Sequence, residues 1–305
     1  MTNTPEPQVA EMENKEKENE TLYVRRDISD CLGAAWTLVS TNTKRVCKTM
    51  AIPVMLYALA MSLYTHSVLN VTASSVLVAT GGTAPELGAM DILEFIGGII
   101  LLIIAAFYFC GACLTLLNGK SVRHNIWRYI KQSLTILAII FIAMTIGIGV
   151  SVGVMTVSET AGTLLLFLLI TACLFACVPL TYTGMKYFLE EDKKVSVIFK
   201  DYRKGVKHYW FILGTLLLTM IVVYVVSLIA QLPMAIALIA KVFSTMGESM
   251  GDPSGLPGSF GSIFLVTGFL SALVQGVTMI YIIFVQYYIY GSVEARRASQ
   301  IKSEK

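Results

Sequence analysis

Six long apolar runs alternate with short polar connections along the chain. The runs cover residues 50–69, 92–117, 133–156, 163–188, 210–240 and 263–290. Each is at least as long as the roughly 18 to 20 residues that an α-helix needs to cross a hydrocarbon core of about 30 Å. The pattern therefore predicts an all-α, polytopic integral membrane protein with six transmembrane helices.

Basic residues are concentrated on one side of these predicted spans. The connections after the first, third and fifth runs contain a single Lys or Arg between them, Lys241. The inner exits and connections on the other side carry Lys120, Arg123, Arg128, Lys131, Lys186, Lys193, Lys194, Lys200, Arg203, Lys204 and Lys207. Because Lys and Arg are enriched on the cytoplasmic side of a membrane, this second group and both termini are predicted to be cytoplasmic.

The composition excludes a soluble globular protein. Hydrophobic residues make up 55% of the chain and charged residues 14%, and the mean hydropathy is +0.70. A soluble domain of this size could not bury so much apolar surface. Residues 1–24 are predicted to form a disordered, acidic cytoplasmic tail, residues 25–298 the transmembrane domain, and residues 299–305 a cytoplasmic tail.

Three short basic segments with helical amphipathicity precede predicted spans. They cover residues 28–39, 122–133 and 195–206. Such segments are typical of helices that lie in the membrane interface, with the apolar face toward lipid and the cations among the headgroups. On the cytoplasmic face we expect anionic lipid to contact Arg123, Arg128, Lys131, Lys200, Arg203, Lys204 and Lys207.

A glycine that follows aromatic residues marks the inner exit of three predicted spans, at Gly111, Gly184 and Gly291. The distance to the next amphipathic segment is also kept, at 15 residues from Gly111 to Ile126 and 14 residues from Gly184 to Ile198. This pattern predicts a threefold internal repeat of one interfacial helix and two spans.

The chain lacks the sequence patterns of an enzyme or a cofactor site. No ionisable residue lies in the middle of a predicted span, and Lys186 is interpreted as a boundary marker at an inner exit. No phosphate-binding glycine loop, nucleophile elbow or paired histidine motif occurs. The Cys110/Cys113 and Cys173/Cys177 pairs are interpreted as small buried hydrophobic residues. The sequence predicts no catalytic residue, no metal, no cofactor and no nucleic-acid partner.

Uncharged polar side chains lie within the fifth and sixth predicted spans, at Tyr224, Ser227, Gln231, Ser271 and Gln275. Such groups either join neighbouring helices through hydrogen bonds or line a small cavity. The sequence leaves both interpretations open.

The layout of basic amphipathic helix and span pair resembles a group of bacterial six-span proteins that includes the membrane domain attached to glycerophosphoryl diester phosphodiesterases. The likeness rests on segments such as residues 28–36 and 182–201 and would extend over residues 25–298. The sequence contains no stretch for a phosphodiesterase catalytic domain, so that activity is not implied. The resemblance implies a protein of the bacterial inner membrane with a role in lipid or envelope maintenance.

Three functional hypotheses follow. The leading one is a non-enzymatic membrane protein that organises lipid or a protein partner, which includes a second copy of itself. The first alternative is a permease or channel for a neutral or lipidic solute, suggested by Gln231 and Gln275. The second is an immunity protein that neutralises an envelope-targeting toxin through outer loops at residues 70–91 and 241–262. In the loop at residues 70–90, polar and apolar residues alternate over 71–78 before Gly81 and Gly82, a pattern that leaves open either a hairpin or a partner-binding loop.

The predicted orientation can be tested with reporter fusions in a bacterial host. A fluorescent protein fused after Lys305 should fluoresce, and alkaline phosphatase at the same place should be inactive, because both report a cytoplasmic position. Alkaline phosphatase inserted within residues 157–162 should be active. The reverse pattern of activities would contradict the orientation.

Overall fold

The computed structural model describes residues 22–79, 89–190, 193–249, 251 and 255–303. It is 90% helical, and no strand occurs in these residues. The described residues form the helices α1 (Ile28–Thr41), α2 (Thr43–Ala79), α3 (Ala89–Asn118), α4 (Val122–Met155), α5 (Glu159–Leu189), α6 (Val197–Lys200), α7 (Tyr202–Lys207), α8 (Tyr209–Ser249) and α9 (Phe260–Ser303). The prediction of an all-α fold is confirmed.

Six of the described helices, α2, α3, α4, α5, α8 and α9, are long and apolar enough to cross a membrane. They coincide with the six apolar runs, so the prediction of a multi-pass helical membrane protein agrees with the structure. Several helices extend beyond their runs. At 1.5 Å per residue, the 34 residues of α4 span about 50 Å, more than the hydrocarbon core is thick.

The outer loops differ from the sequence-based expectation. The hairpin interpretation of residues 71–78 is wrong, because α2 continues as a helix to Ala79. Likewise α8 continues to Ser249, beyond the end of the apolar run at residue 240. Residues 80–88, 250 and 252–254 of these loops lie outside the described part of the chain, as do residues 1–21 of the acidic tail.

The three amphipathic segments take three different forms. The first is the separate helix α1, and the second is the beginning of α4, continuous with the following span. The third consists of the short helices α6 and α7, which meet at Asp201. We call residues 197–207 the basic segment. The three segments are helical or mostly helical, and their position in a membrane interface stays a prediction.

The chain divides into two compact units. Unit 2 covers residues 42–129 and 220–282. Within it, α3 packs closely on α2, since a Cβ atom at Gly98 would lie 3.3 Å from Tyr64 Cα. The Ser62 hydroxyl donates to the Leu265 carbonyl at 2.7 Å and so joins α2 to α9. Unit 2 is therefore held together by close helix contacts of the kind that membrane proteins use in place of a hydrophobic driving force.

Unit 1 covers residues 1–41, 130–219 and 283–305. Its core lies around the C-terminal parts of α5 and α9, where Tyr182, Ile289, Tyr290 and Val293 are fully buried. By contrast, only 6% of the most apolar window of α4, and the same share of α5, is buried. The folded core of unit 1 therefore lies at the ends of these helices that the sequence predicts to be cytoplasmic.

The N-terminal residues of unit 1 approach α9 at a glycine. A Cβ atom at Gly291 would lie only 2.3 Å from the Leu22 carbonyl oxygen, which is closer than real Cβ contacts occur. By comparison, a Cβ at Gly149 on α4 would meet nothing within 4 Å. Only a residue without a side chain lets the main chain at Leu22 lie against α9.

Gly291→Ala should therefore destabilise the protein by about 1 to 3 kcal/mol, because the added methyl group forces the chain at Leu22 away from α9. The matched change Gly149→Ala should be neutral or slightly stabilising, since Ala is a better helix former than Gly. Thermal unfolding in detergent measures both. Equal melting temperatures for the two variants would contradict this packing.

Candidate functional site: a buried ion cluster and an apolar groove

Lys186 is the central charge of unit 1. It lies near the C-terminal end of α5, and its side chain is 8% exposed. Its Nζ atom is 2.9 Å from Asp201 Oδ2, 3.1 Å from Glu294 Oε1 and 3.5 Å from Glu190 Oε1. Glu190 directly follows α5, Asp201 joins α6 to α7, and Glu294 belongs to α9. One ammonium group thus links three parts of the chain.

Glu294 has two further donors. The Tyr182 hydroxyl donates to Glu294 Oε1 at 2.5 Å, and Arg297 Nη1 donates to the two carboxylate oxygens at 2.9 and 2.8 Å. The three-residue spacing places Arg297 on the same face of α9 as Glu294. Arg297 also donates to the Tyr182 hydroxyl oxygen at 3.2 Å. We call Tyr182, Lys186, Glu190, Asp201, Glu294 and Arg297 the ion cluster.

Asp201 is fixed by both its main chain and its side chain. Its N–H donates to the Val197 carbonyl at 2.9 Å, and its own carbonyl accepts from the Lys204 N–H at 2.9 Å. Its carboxylate contacts Lys186 through one oxygen and Lys204 Nζ through the other. Burial opposes ionisation, but the hydrogen bonds from Lys204 and Lys186 outweigh it and hold the pKa of Asp201 below its ordinary value. Asp201 is therefore charged at neutral pH.

Tyrosine rings pack beside these charges. Tyr182 and Tyr290 stack with ring centroids 5.9 Å apart, and the Tyr290 hydroxyl donates to Glu190 Oε1 at 3.0 Å. The ring of Tyr23 meets Tyr290 edge-on at 6.2 Å. Aromatic cover lowers the local dielectric constant, which strengthens attraction between the charges that it surrounds.

The N-terminal segment is tied to α9 next to the ion cluster. The Arg26 N–H donates to Ser292 Oγ at 3.1 Å, and the Ser292 hydroxyl donates to the Val24 carbonyl at 3.2 Å. Arg296 Nη2 donates to the Arg26 carbonyl at 2.7 Å. The C-terminal part of α9 is thus the support on which the rest of unit 1 is assembled.

The ion cluster is a positioning structure. A lysine ammonium has three hydrogens, and three carboxylates surround that of Lys186. The geometric effect of the cluster is to fix the basic segment, through Asp201, against α5 and α9.

An apolar groove lies beside the basic segment. Ile136 and Ile139 of α4, Ala176 and Cys177 of α5, and Phe199 and Tyr202 of the basic segment are among the residues that line it, and its volume is about 250 Å³. Apart from the Tyr202 hydroxyl and two cysteine thiols, its walls are hydrocarbon and aromatic side chains. The groove belongs entirely to unit 1.

Two contacts hold the basic segment over this groove. The Tyr202 hydroxyl donates to the Ala176 carbonyl at 2.8 Å. Pro179, which lies inside α5, has no N–H, so it is the carbonyl of Phe175, four residues earlier, that loses its helical partner in the turn that contains Ala176. At Gly205, a Cβ atom would lie 3.0 Å from the Pro179 carbonyl oxygen, so this glycine permits the close approach.

The cations of the basic segment fall into two groups. Lys204 is bound to Asp201. Lys200, Arg203 and Lys207 are exposed and form no ion pair with any other described residue. The segment therefore presents three of its four cations outward.

The remaining cations that the sequence assigns to lipid are placed differently. Lys131 of unit 1 is exposed, whereas Arg128 of unit 2 is buried. Arg123 of unit 2 lines an open depression of about 570 Å³ together with His124 and Trp127. Their contacts with lipid stay predictions.

The uncharged polar residues of the fifth and sixth spans all belong to unit 2. Tyr224 is 64% exposed and Gln231 is exposed, while Ser227 and Gln275 are partly buried. The Ser271 hydroxyl donates to the Ala230 carbonyl at 2.7 Å and joins α9 to α8. Ser271 thus has the helix-joining contact that was one of the two interpretations, and a common lining by the five residues stays a prediction.

No protein-family model, curated protein or solved structure matches this chain.

Sequence reasoning did not find the ion cluster. The sequence pattern marks Lys186 only as a boundary residue at an inner exit, and Glu294 lies past the end of the sixth apolar run. One signal could have indicated the pairing. Lys186 follows Gly184 by two residues and Glu294 follows Gly291 by three, so opposite charges occupy similar positions after two of the marker glycines.

Replacing Lys186 by Met should destabilise the protein by about 1.5 to 3 kcal/mol, because Asp201 and Glu294 each lose a charged hydrogen-bond donor, although Lys204 and Arg297 remain beside them. Lys193→Met is the matched control. Lys193 is 45% exposed and 3.8 Å from Glu190, so its removal should cost less than about 1 kcal/mol. Chemical denaturation in mixed micelles measures both changes, and a Lys186→Met variant as stable as Lys193→Met would rule out the cluster as a structural centre.

Proposed function

We propose that this chain is a non-enzymatic protein of the bacterial inner membrane that binds and organises anionic phospholipid at its cytoplasmic side. The observation that carries the proposal is the division of cations on the basic segment. Lys204 forms an ion pair with Asp201, whereas Lys200, Arg203 and Lys207 are exposed and form no ion pair with another described residue. A segment that is anchored by buried charges and presents others outward is suited to a fixed anionic surface.

The exposed apolar side chains of the same segment support this function. Phe199 is 48% exposed and Val206 is also exposed, close in sequence to the exposed cations. Interfacial helices bind membranes through this combination, with apolar groups in the acyl boundary and cations at the headgroups. Each well-placed cation adds about 1 kcal/mol on an anionic leaflet.

The three tryptophans support the same placement. Trp36, Trp127 and Trp210 are all exposed, and each lies at a boundary that the charge pattern predicts to be cytoplasmic. Indole rings prefer the headgroup level of a bilayer, where the ring is apolar and the N–H is hydrated. The proposal includes the orientation with both termini inside, the three interfacial segments and the threefold repeat, and it agrees with the implied role in envelope maintenance.

Native mass spectrometry of the full chain, released from a mild detergent after equilibration with phosphatidylglycerol and phosphatidylethanolamine, tests the proposal. The wild type should retain phosphatidylglycerol preferentially. The triple variant Lys200→Gln, Arg203→Gln, Lys207→Gln should lose that preference by about tenfold or more, because about 1 kcal/mol is lost per cation.

The control is the triple variant Lys44→Gln, Arg45→Gln, Lys48→Gln, which removes the same charge from exposed positions at the start of α2. It should keep most of the preference. An equal loss in both variants would mean that general electrostatic attraction accounts for binding, and a wild type without preference for phosphatidylglycerol would refute the proposed function.

A further inference from the structure

We propose that the apolar groove of unit 1 holds one acyl chain of an anionic phospholipid whose headgroup contacts Lys200 and Arg203. The inference rests on the proposed function, because it gives the lipid that the basic segment binds a defined site for its chain. It also makes that lipid a specific ligand with a fixed stoichiometry, distinct from the lipid that surrounds any membrane protein.

The position of the groove matches a lipid chain that enters from the headgroup level. Phe199 and Tyr202 line the groove, and each is directly followed in sequence by an exposed cation, Lys200 or Arg203. Because consecutive Cα atoms are about 3.8 Å apart, the long side chains of these two cations begin beside the groove lining. A phospholipid matches this arrangement, because its negatively charged phosphate lies next to its apolar acyl chains.

The direction of the groove matches as well. On α4 its lining begins at Ile136, five residues after the exposed Lys131, and continues to Ala143. At 1.5 Å per residue, the lining begins about 8 Å along the axis of α4 from Lys131 and extends for about another 10 Å. An acyl chain lies in the same direction, because it descends from the headgroups along the spans.

The size and chemistry of the groove favour hydrocarbon. A methylene group takes roughly the 30 Å³ that a water molecule occupies in the liquid, so a volume of about 250 Å³ accommodates about eight methylene groups. The Tyr202 hydroxyl is already bonded to the Ala176 carbonyl. Water would find few partners in such a space, whereas an acyl chain would cover the half-exposed ring of Phe199.

Photocrosslinking tests the site directly. The probe is phosphatidylglycerol with a diazirine in the middle of one acyl chain, incorporated into nanodiscs with the full-length protein. After irradiation and proteolysis, modified residues should fall in the peptides that contain 136–143, 173–180 and 199–202. A phosphatidylcholine probe with the same chain should label these peptides about tenfold less, because it lacks the net charge that Lys200 and Arg203 recognise.

Filling the groove provides the second measurement. Ala176→Leu adds three carbon atoms to one wall, and Ala143→Leu adds them to the other. Both variants should reduce labelling by phosphatidylglycerol in these peptides by about tenfold. The matched control is Ala172→Leu, one helical turn from Ala176 on the exposed surface of α5 and outside the groove, and it should leave labelling unchanged.

The outcomes separate this inference from the proposed function. The acyl-chain site would be overturned if labelling were spread evenly over all spans, or if it were unchanged in both groove-filling variants. The proposed function would still be supported in that case by a preference for phosphatidylglycerol in mass spectrometry. Crosslinked dimers through groove peptides, in place of lipid adducts, would assign the groove to a second copy of the chain and overturn the inference. Loss of labelling in Ala172→Leu as strong as in Ala176→Leu would overturn it too.

Discussion

The structure of unit 1 depends on the burial of a single ammonium group. Transfer of a charge out of water costs several kcal/mol, and that cost is offset only when opposite charges and hydrogen bonds surround it. Lys186 meets this condition with carboxylates from three parts of the chain, Glu190, Asp201 and Glu294. Asp201 and Glu294 each also have a cation on their own segment, Lys204 and Arg297, so Lys186 is the group that would lose most of its compensation if the segments separated. Its burial therefore favours one arrangement of α5, the basic segment and the end of α9.

The outward features of unit 1 follow from this constraint. Asp201 is the joint between α6 and α7, so its fixation determines which faces of these short helices are free. Tyr202 and Gly205 then rest on α5 around Pro179, and Phe199 forms one wall of the groove. Lys200 and Arg203, which directly follow Phe199 and Tyr202 in sequence, are left exposed. The partly buried ion cluster thus determines the position of the exposed cations Lys200 and Arg203, which form no ion pair with a described residue.

The sequence predicted the spans because hydropathy is a property of each segment by itself. The ion cluster is different in kind. Lys186 and Glu294 are 108 residues apart, and nothing in either local sequence names the other as a partner. The sequence pattern distinguishes the second amphipathic segment from the apolar run that follows it. In the structure both belong to one helix, α4, because a helix can continue through a change from polar to apolar residues.

The sequence pattern does not reveal the groove either, because an apolar residue that lines a cavity and one that faces lipid follow the same pattern. Ser271, by contrast, was identified as polar at depth, and its bond to Ala230 is the ordinary solution for such a group.

The most direct measurement of the central claim is hydrogen–deuterium exchange of the main-chain amides of residues 197–207 in the wild type and in the Lys186→Met variant. If the buried ammonium holds the basic segment in place, these amides should exchange at least about tenfold faster in the variant, while the amides of α2 and α3 in unit 2 keep their wild-type rates. Unchanged exchange in residues 197–207 would contradict the account, because the basic segment would then be held by contacts that do not require Lys186.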